Sequence, residues 1–140
     1  EMDDICSFCS IIDGNAPAYR VFESEHILAI LADILPRTSG HVLVMPKVHV
    51  PLLSELPDDI ARDLGSALTR VSRAMTQGLD NLGLTITLNQ VYAQVVPHVH
   101  FHIVPAPNLQ SETPKKGLFT RQELDEDEAE VILRKIKSRL

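Results

Sequence analysis

Three histidines alternate with apolar residues in a short segment between two prolines. Pro97 and Pro105 bracket the segment, and His98, His100 and His102 occupy every second position within it. Side chains at alternate positions of a strand project from the same face, so the three imidazoles would share one surface about 6.6 Å apart. Because Thr, Lys, Glu or Ser would ordinarily fill a solvated face, we interpret these histidines as functional.

Two kinds of chemistry suit such a surface. Imidazoles at alternate strand positions can donate ligands to a zinc ion that activates water, once another element completes the coordination sphere. Alternatively, a neutral imidazole attacks an electrophile and forms a covalent intermediate that water resolves. Phosphorus suits the second route, because a phosphoramidate on histidine is reactive enough to hydrolyse. His100 is then the best nucleophile candidate, since it has a histidine on either side.

The elements that position these histidines follow from hydrophobic period and from proline and glycine. We predict a short helix at 6–12, a long helix over 57–79 and a C-terminal helix after Asp125. We also predict strands at 19–23, 26–31, 41–45, 84–88 and 97–105, and a loop at 36–40. We therefore predict an α+β domain. It has a mainly antiparallel sheet of about five strands, one long packed helix, a short N-terminal helix and a C-terminal helix. We expect residues 1–140 to form a single domain with a core at about 5–107 and a C-terminal extension at 108–140.

Composition excludes several classes of protein. The 13 Lys and Arg against 19 Asp and Glu give a net charge of −6, which argues against a nucleic acid as the main ligand. No apolar run approaches the roughly 20 residues that a bilayer span needs, so we expect no membrane association. Two cysteines and no signal-peptide pattern favour a reducing compartment, although a segment before Glu1 stays open. We expect the cytoplasm, with the nucleus also open.

Cys6 and Cys9 form a Cys-x-x-Cys pair. The pair could be a redox dithiol, a metal clamp or two buried thiols. Nothing before Cys6 supplies the strand that a thioredoxin-like setting requires. Two thiolates and two imidazoles would complete a tetrahedral structural zinc site.

Several separated motifs resemble those of the histidine-triad (HIT) superfamily. HVHFHIV at 98–104 resembles its alternating histidine signature, and QVVP at 94–97, SGHVLVMPKVH at 39–49 and CSFC at 6–9 match in the expected order. The resemblance covers about residues 5–107. It is to the nucleoside phosphoramidase (Hint-like) and bacterial HIT branch, rather than to the fragile-histidine-triad branch.

This resemblance implies hydrolysis of a nucleoside phosphoramidate or a dinucleoside polyphosphate at the α-phosphorus, through a nucleotidyl-histidine on His100. It implies that His102 and His41 hold the phosphate and that Gln94 lies near the phosphate or leaving group. The implied partners are a purine nucleotide, expected to be adenosine-based, and a second copy that joins the sheet edge to edge. The implied nucleotide contacts are Asp33 on the ribose, Phe8, Ile11, Ile34 and Leu43 around the purine, and Asn89, Gln94 and His102 on the phosphate side.

The resemblance also implies a structural zinc ion held by Cys6, Cys9, His49 and His98. In one respect the chain departs from the family, whose members carry a glycine-containing loop before the glutamine. Here the stretch at 89–94 is about two residues shorter and contains no glycine. Two alternatives to a covalent hydrolase stay open: a nucleotide-binding module with little turnover, and a zinc-dependent hydrolase whose three strand histidines bind one catalytic ion.

Overall fold

The computed structural model describes residues 6–32, 34–35, 40–106, 122–123 and 125–140, with only the backbone at 34–35 and 122–123. In chain order, the elements are α1 (Ser7–Ile12), β1 (Arg20–Glu23), β2 (Ile27–Leu31), β3 (Ile34–Leu35), β4 (Val42–Pro46), a 3-10 turn (Leu53–Glu55), α2 (Asp58–Gly78), β5 (Leu84–Leu88), β6 (Phe101–Pro105), β7 (Gln122–Glu123) and α3 (Glu126–Lys137). No helix within these ranges is both long and apolar enough to cross a bilayer.

The main sheet has five strands in the order β1-β2-β4-β6-β5, and each neighbouring pair is antiparallel. This confirms the predicted α+β class, with one long helix, a short N-terminal helix and a C-terminal helix. A second sheet, which we did not predict, pairs β3 with β7. Each of its strands has two residues, which is too short for a hydrophobic period to be recognised.

The neighbouring strands β2 and β4 are buried on both faces. Along β2, Ile27, Ala29 and Leu31 belong to the apolar cluster that contains the buried residues of α2 and α3. Leu28 and Ile30 point the other way and pack with α1. Helices therefore cover both sides of the sheet, which explains why β2 is apolar at every position instead of alternating.

The long helix α2 buries the stripe that the sequence predicts, with Leu64, Ala67, Val71, Ala74 and Met75 all buried. It ends at Gly78, where α3 crosses closely. A Cβ at Gly78 would collide with the Lys135 carbonyl and lie 3.2 Å from the Cα of Ile136. Glycine at this position therefore permits the close approach of the two helices.

Helix α3 begins as predicted. The side chain of Asp125 accepts a hydrogen bond from the Glu128 N–H at the helix start, at 3.4 Å. Ala129, Ile132 and Ile136 are buried in the cluster shared with α2 and the sheet. The predicted C-terminal helix is thus part of the helical layer on that face.

The histidine segment is a regular strand only in part. We predicted a strand over 97–105, whereas β6 begins at Phe101. Phe101 pairs with Leu88, the last residue of β5, so the ladder ends there. Before it, the Val99 N–H donates to the Val50 carbonyl at 2.8 Å. The predicted alternation of faces is nevertheless present, since Ile103 packs with α2 while the ring of His100 contacts α1.

Candidate active site

His100 is buried, with 4% of its surface exposed. Its Nδ1 lies 2.6 Å from the main-chain carbonyl of His98. Because a carbonyl oxygen can only accept, Nδ1 must carry the hydrogen, and Nε2 keeps its lone pair. Burial lowers the pKa of His100 because it disfavours the imidazolium, although the hydrogen bond to His98 opposes this shift. The environment therefore favours a neutral ring with a nucleophilic Nε2.

One further imidazole lies beside His100, and a second lies beside that one. The ring of His102 is 4.9 Å from that of His100, and its Nδ1 is 3.0 Å from Nε2 of His41. His41 enters the group from the turn before β4, where Gly40 has a φ of +102° that favours glycine. The histidine expected on the strand before the triad is thus brought next to the triad by the pairing of β4 with β6.

Gln94 lies in the segment that follows β5, which we call the Gln94 loop (residues 89–96). Its Oε1 accepts from the Val91 N–H at 3.3 Å. Its Nε2 is buried and has no hydrogen-bond partner within the described part of the chain. This amide can therefore donate to a ligand oxygen or nitrogen. Asn89, expected on the phosphate side, is half-buried at the start of the same loop.

The Gln94 loop adopts backbone conformations that normally require glycine. Val91 has a φ of +60° and Ala93 a φ of +59°. A non-glycine residue in this region costs about 1–3 kcal/mol, and a branched side chain is especially unfavourable there. The loop thus makes a glycine-type turn although glycine is missing from its sequence.

Four donor atoms meet at the cluster formed by Cys6, Cys9, His49 and His98, which we call the four-donor cluster. They lie within 4.8 Å of one another. His98 Nδ1 is 3.5 Å from the Cys6 sulfur and 3.7 Å from the Cys9 sulfur, and His49 Nδ1 is 3.3 Å from the Cys9 sulfur. With Zn–S bonds of about 2.3 Å and Zn–N bonds of about 2.0 Å, tetrahedral zinc separates sulfur and nitrogen ligands by about 3.5 Å. The donor set therefore fits a metal ion.

The orientation of His98 also fits metal binding. Its Nε2 lies 2.8 Å from the Pro46 carbonyl, so Nε2 carries the hydrogen and donates it. The lone pair of Nδ1 then faces the two sulfur atoms. A second hydrogen bond of this kind is what orients most metal-binding histidines. Since both ring nitrogens of His98 are engaged here, its ring is not directed toward the same point as His100 and His102.

The structure places the other expected contacts as follows. Leu43 is paired with His102 across β4 and β6, so it lies on the histidine face. Phe8 is buried in α1 and touches two of the imidazoles, while Ile11 is half-buried and packs against the same apolar cluster. Asp33 lies outside the described residues, and Ile34 is described only in its backbone. Sequence reasoning missed the carbonyls of Pro46 and His98, because a backbone acceptor has no residue-type signal.

Comparisons with known proteins identify the family of the chain. A family model described as the HIT domain matches residues 13–109. An uncharacterized HIT-like protein of Methanocaldococcus jannaschii is 38% identical, over 95% of this chain and 99% of its own length. An adenosine 5′-monophosphoramidase of Schizosaccharomyces pombe is 38% identical, over 74% of this chain and 75% of its own.

A solved structure extends the likeness to three dimensions. The crystal structure of a Zn-bound histidine triad family protein from Mycobacterium smegmatis superposes with a TM-score of 0.78 at 33% identity, covering 97% of this chain and 96% of that chain. Sequence and fold therefore agree over nearly the whole chain, including the segments that carry the histidines. The chain belongs to the HIT family.

Proposed function

We propose that the protein hydrolyses nucleoside phosphoramidates by forming a covalent nucleotidyl bond to Nε2 of His100. The observation that carries this proposal is the 2.6 Å hydrogen bond from His100 Nδ1 to the His98 carbonyl, which leaves Nε2 as the nucleophilic atom. The relative in Schizosaccharomyces pombe, named an adenosine 5′-monophosphoramidase, supports the reaction type and an adenosine substrate. A dinucleoside polyphosphate would be attacked at the same α-phosphorus with a different leaving group.

In the first step, the lone pair of His100 Nε2 forms a bond to the α-phosphorus. The bond from phosphorus to the leaving amine breaks, and the amine takes up a proton as it departs. The ring gains positive charge, which the His98 carbonyl stabilises through the Nδ1 hydrogen. In the second step, water attacks phosphorus and loses a proton, and the Nε2–phosphorus bond breaks. The products are a nucleoside monophosphate and the free amine.

The neighbouring polar groups would bind the phosphate during both steps. His102 is next to His100, and the 3.0 Å contact between His41 Nε2 and His102 Nδ1 requires one of these two nitrogens to carry the hydrogen and the other to accept it. The Nε2 of Gln94 supplies a further donor for a phosphate oxygen or for the leaving group. Asn89 would act on the same side.

The base and sugar contacts follow mainly from the family resemblance. We propose Asp33 for the ribose hydroxyls and Ile11, Ile34 and Leu43 around the purine. The place of Leu43 beside His102 supports its part in this set, because a residue on the histidine face can reach the nucleotide. Apolar side chains suit the flat face of a base.

We also propose that the four-donor cluster binds a structural zinc ion. When bound, the ion would cross-link α1 to the residues after β4 and before β6. The separations between sulfur and nitrogen support this assignment, as does the Zn-bound relative from Mycobacterium smegmatis. The three-histidine catalytic zinc is less favoured, because the ring of His98 faces the two thiols.

A homodimer is the expected assembly. β5 stands at the end of the five-strand order, and its middle residues Thr85, Ile86 and Thr87 are exposed. An edge of this kind can pair with the same edge of a second copy. An Ile86→Lys variant should be more monomeric than the wild type by light scattering after gel filtration. An unchanged mass at equal concentration would contradict pairing at this edge.

The proposed function is tested by trapping the covalent intermediate. The protein is incubated with adenosine 5′-phosphoramidate labelled at phosphorus, and label on the denatured protein is counted before and after acid treatment. Wild type should carry acid-labile label, and His100→Ala should carry none and should not turn over. His26→Ala is the matched control, since His26 lies outside the histidine group and its Nε2 is 3.9 Å from Glu25.

Other results would favour the alternatives. Full turnover by His100→Ala would contradict the nucleophile assignment. Immediate loss of activity with a chelator, while the fold stays intact, would favour the zinc-dependent hydrolase. Tight binding of a nucleoside monophosphate without release of product from any phosphoramidate or dinucleotide would indicate a binding module.

A further inference from the structure

Phe8 lies between the two cysteines in the sequence and between the four-donor cluster and His100 in space. Its side chain is almost fully buried, at 7% exposure. Its ring is 5.8 Å from the ring of His98 at an interplanar angle of 90°, and 4.7 Å from the ring of His100 at 71°. Both contacts have the edge-to-face geometry that aromatic rings prefer.

The ring of His100 is held by three neighbours. His98 holds Nδ1 through its carbonyl, His102 packs at 4.9 Å, and Phe8 packs at 4.7 Å. One hydrogen bond fixes the position of a single nitrogen but leaves the tilt of the ring free. The packing contacts of Phe8 and His102 restrict that tilt, and with it the direction of the Nε2 lone pair.

Two of these three neighbours are linked to the four-donor cluster, since His98 belongs to it and Phe8 stands between its two cysteines in the sequence. His98 donates a ring nitrogen to the cluster and accepts from His100 with its carbonyl. Phe8 is carried by α1, whose N-cap is Cys6 and whose third residue is Cys9. A change in the position of the cysteines must therefore move the Phe8 ring against His100.

We infer that Phe8 is a positioning residue for His100, coupling the geometry of the four-donor cluster to the direction of the nucleophilic Nε2. This inference rests on the proposed function, because it assigns Phe8 to the nucleophile. A contribution of Phe8 to the purine wall would instead appear as a change in substrate affinity. The two roles differ in measurable ways.

The first experiment separates kcat from KM. On zinc-loaded protein with adenosine 5′-phosphoramidate, Phe8→Leu should lower kcat about tenfold or more, because small errors in the attack geometry are costly. KM should change by less than about twofold, because the contacts that bind the substrate equally well in its ground state and its transition state are retained. The zinc stoichiometry should stay at the wild-type value. Phe8→Met also removes the aromatic ring and should show the same loss of kcat with little change in KM. It replaces Phe8→Leu in the experiment if Phe8→Leu does not fold.

Ile12→Ala is the matched control. Ile12 lies in α1, like Phe8, and packs against the apolar cluster to which Phe8 belongs. Being aliphatic, it cannot make the edge-to-face ring contact that Phe8 makes with His100. If the loss of kcat only reflected a looser α1, Ile12→Ala would lower it equally, and the inference would be wrong. A raised KM with unchanged kcat in Phe8→Leu would also overturn it, in favour of contact with the base.

The second experiment needs no turnover. In zinc-loaded protein without substrate, exchange of the His100 Nδ1 hydrogen with solvent is read from the imidazole resonances by NMR. We expect exchange at least about tenfold faster in Phe8→Leu, because the ring opens more often, and near the wild-type rate in Ile12→Ala. Equal rates in the wild type and Phe8→Leu would contradict the positioning role. If wild type hydrolyses no phosphoramidate, the proposed function fails while this measurement still decides the role of Phe8.

Discussion

At the scale of single residues, Gln94 combines a loop contact with an unused donor. Its Oε1 holds the Val91 N–H, while its Nε2 has no partner within the described residues. Gln94→Glu keeps an acceptor for Val91 but replaces the donor by a negative charge near the phosphate. We expect kcat/KM for adenosine 5′-phosphoramidate to fall about 100- to 1,000-fold, on the order of one lost donor to a developing anion.

Gln90→Glu is the control for this prediction. Gln90 belongs to the same loop, and its Oε1 accepts from the Leu53 N–H at 2.8 Å, a contact that a carboxylate retains. It adds the same charge at an exposed position, so its kcat/KM should stay within about twofold of the wild type under screening salt. Equal losses in the two variants would mean that charge on the loop, and not the Gln94 donor, controls the rate.

Val91 is the one β-branched residue among the three non-glycine residues with a positive φ in the described part of the chain. Its branched side chain stands at a φ of +60° and is 77% exposed, so no packing compensates. Val91→Gly should raise the free energy of unfolding by about 1 kcal/mol, because relief of strain exceeds the entropy that glycine adds to the unfolded chain. Urea unfolding measures the change. Val95→Gly, at an exposed position in the same loop whose φ is not positive, should instead lower stability. If Val91→Gly and Val95→Gly both lowered the free energy of unfolding, the positive φ of Val91 would not strain the folded protein.

At the scale of elements, the contact between α2 and α3 depends on one missing side chain. Gly78→Ala would place a Cβ against the Lys135 carbonyl. We expect a loss of about 1–2 kcal/mol in unfolding free energy, since the cost of overpacking exceeds the better helix propensity of alanine. Gly65→Ala lies in the same helix, and its Cβ would meet nothing within 4 Å, so it should stabilise by up to about 1 kcal/mol. Calorimetry measures the stability of both variants. If Gly78→Ala were as stable as Gly65→Ala, the close contact of α2 and α3 at Gly78 would not limit side-chain size.

The elements also show what the sequence could and could not predict. The stripe on α2 and the shared face of the histidines follow from side-chain period, which holds wherever the chain is helical or extended. The start of β6 at Phe101 depends on where β5 ends at Leu88, which is a property of the partner strand. The pairing of β3 with β7 joins distant two-residue segments, and no local pattern encodes it. The division of the chain at 107 stays a prediction.

The site was predictable to a similar extent. Residue type and spacing indicated His100 as the candidate nucleophile, which stays a prediction, and the family resemblance implied the four-donor cluster, whose members the structure brings together. The tautomer of His100 was not predictable, because it depends on the carbonyl of His98. The glycine-type turn at Val91 and Ala93 was equally hidden, since neither residue type favours it. Backbone geometry thus completes what side-chain chemistry indicates.

At the scale of the whole molecule, the four-donor cluster joins three segments that are far apart in the chain. Cys9 and His49 are 40 residues apart, and Cys6 and His98 are 92 apart. An ion bound there would close two long loops, and its binding energy would add to the free energy of folding. At a free zinc concentration 1,000 times the Kd, this contribution would be about 4 kcal/mol.

Removal of zinc should therefore lower the melting temperature of the protein, and heating of the zinc-loaded protein should release the ion within the same transition as unfolding. Differential scanning fluorimetry with and without a chelator measures the shift, and a chromophoric zinc indicator follows release.

Cys9→Ser should bind zinc more weakly and melt at a similar temperature with or without chelator. Ser10→Ala, one residue further along α1, should keep the wild-type shift, because it leaves every donor in place. A melting temperature of the wild type that does not respond to the chelator, with zinc shown to be removed, would mean that the cluster does not hold the fold together.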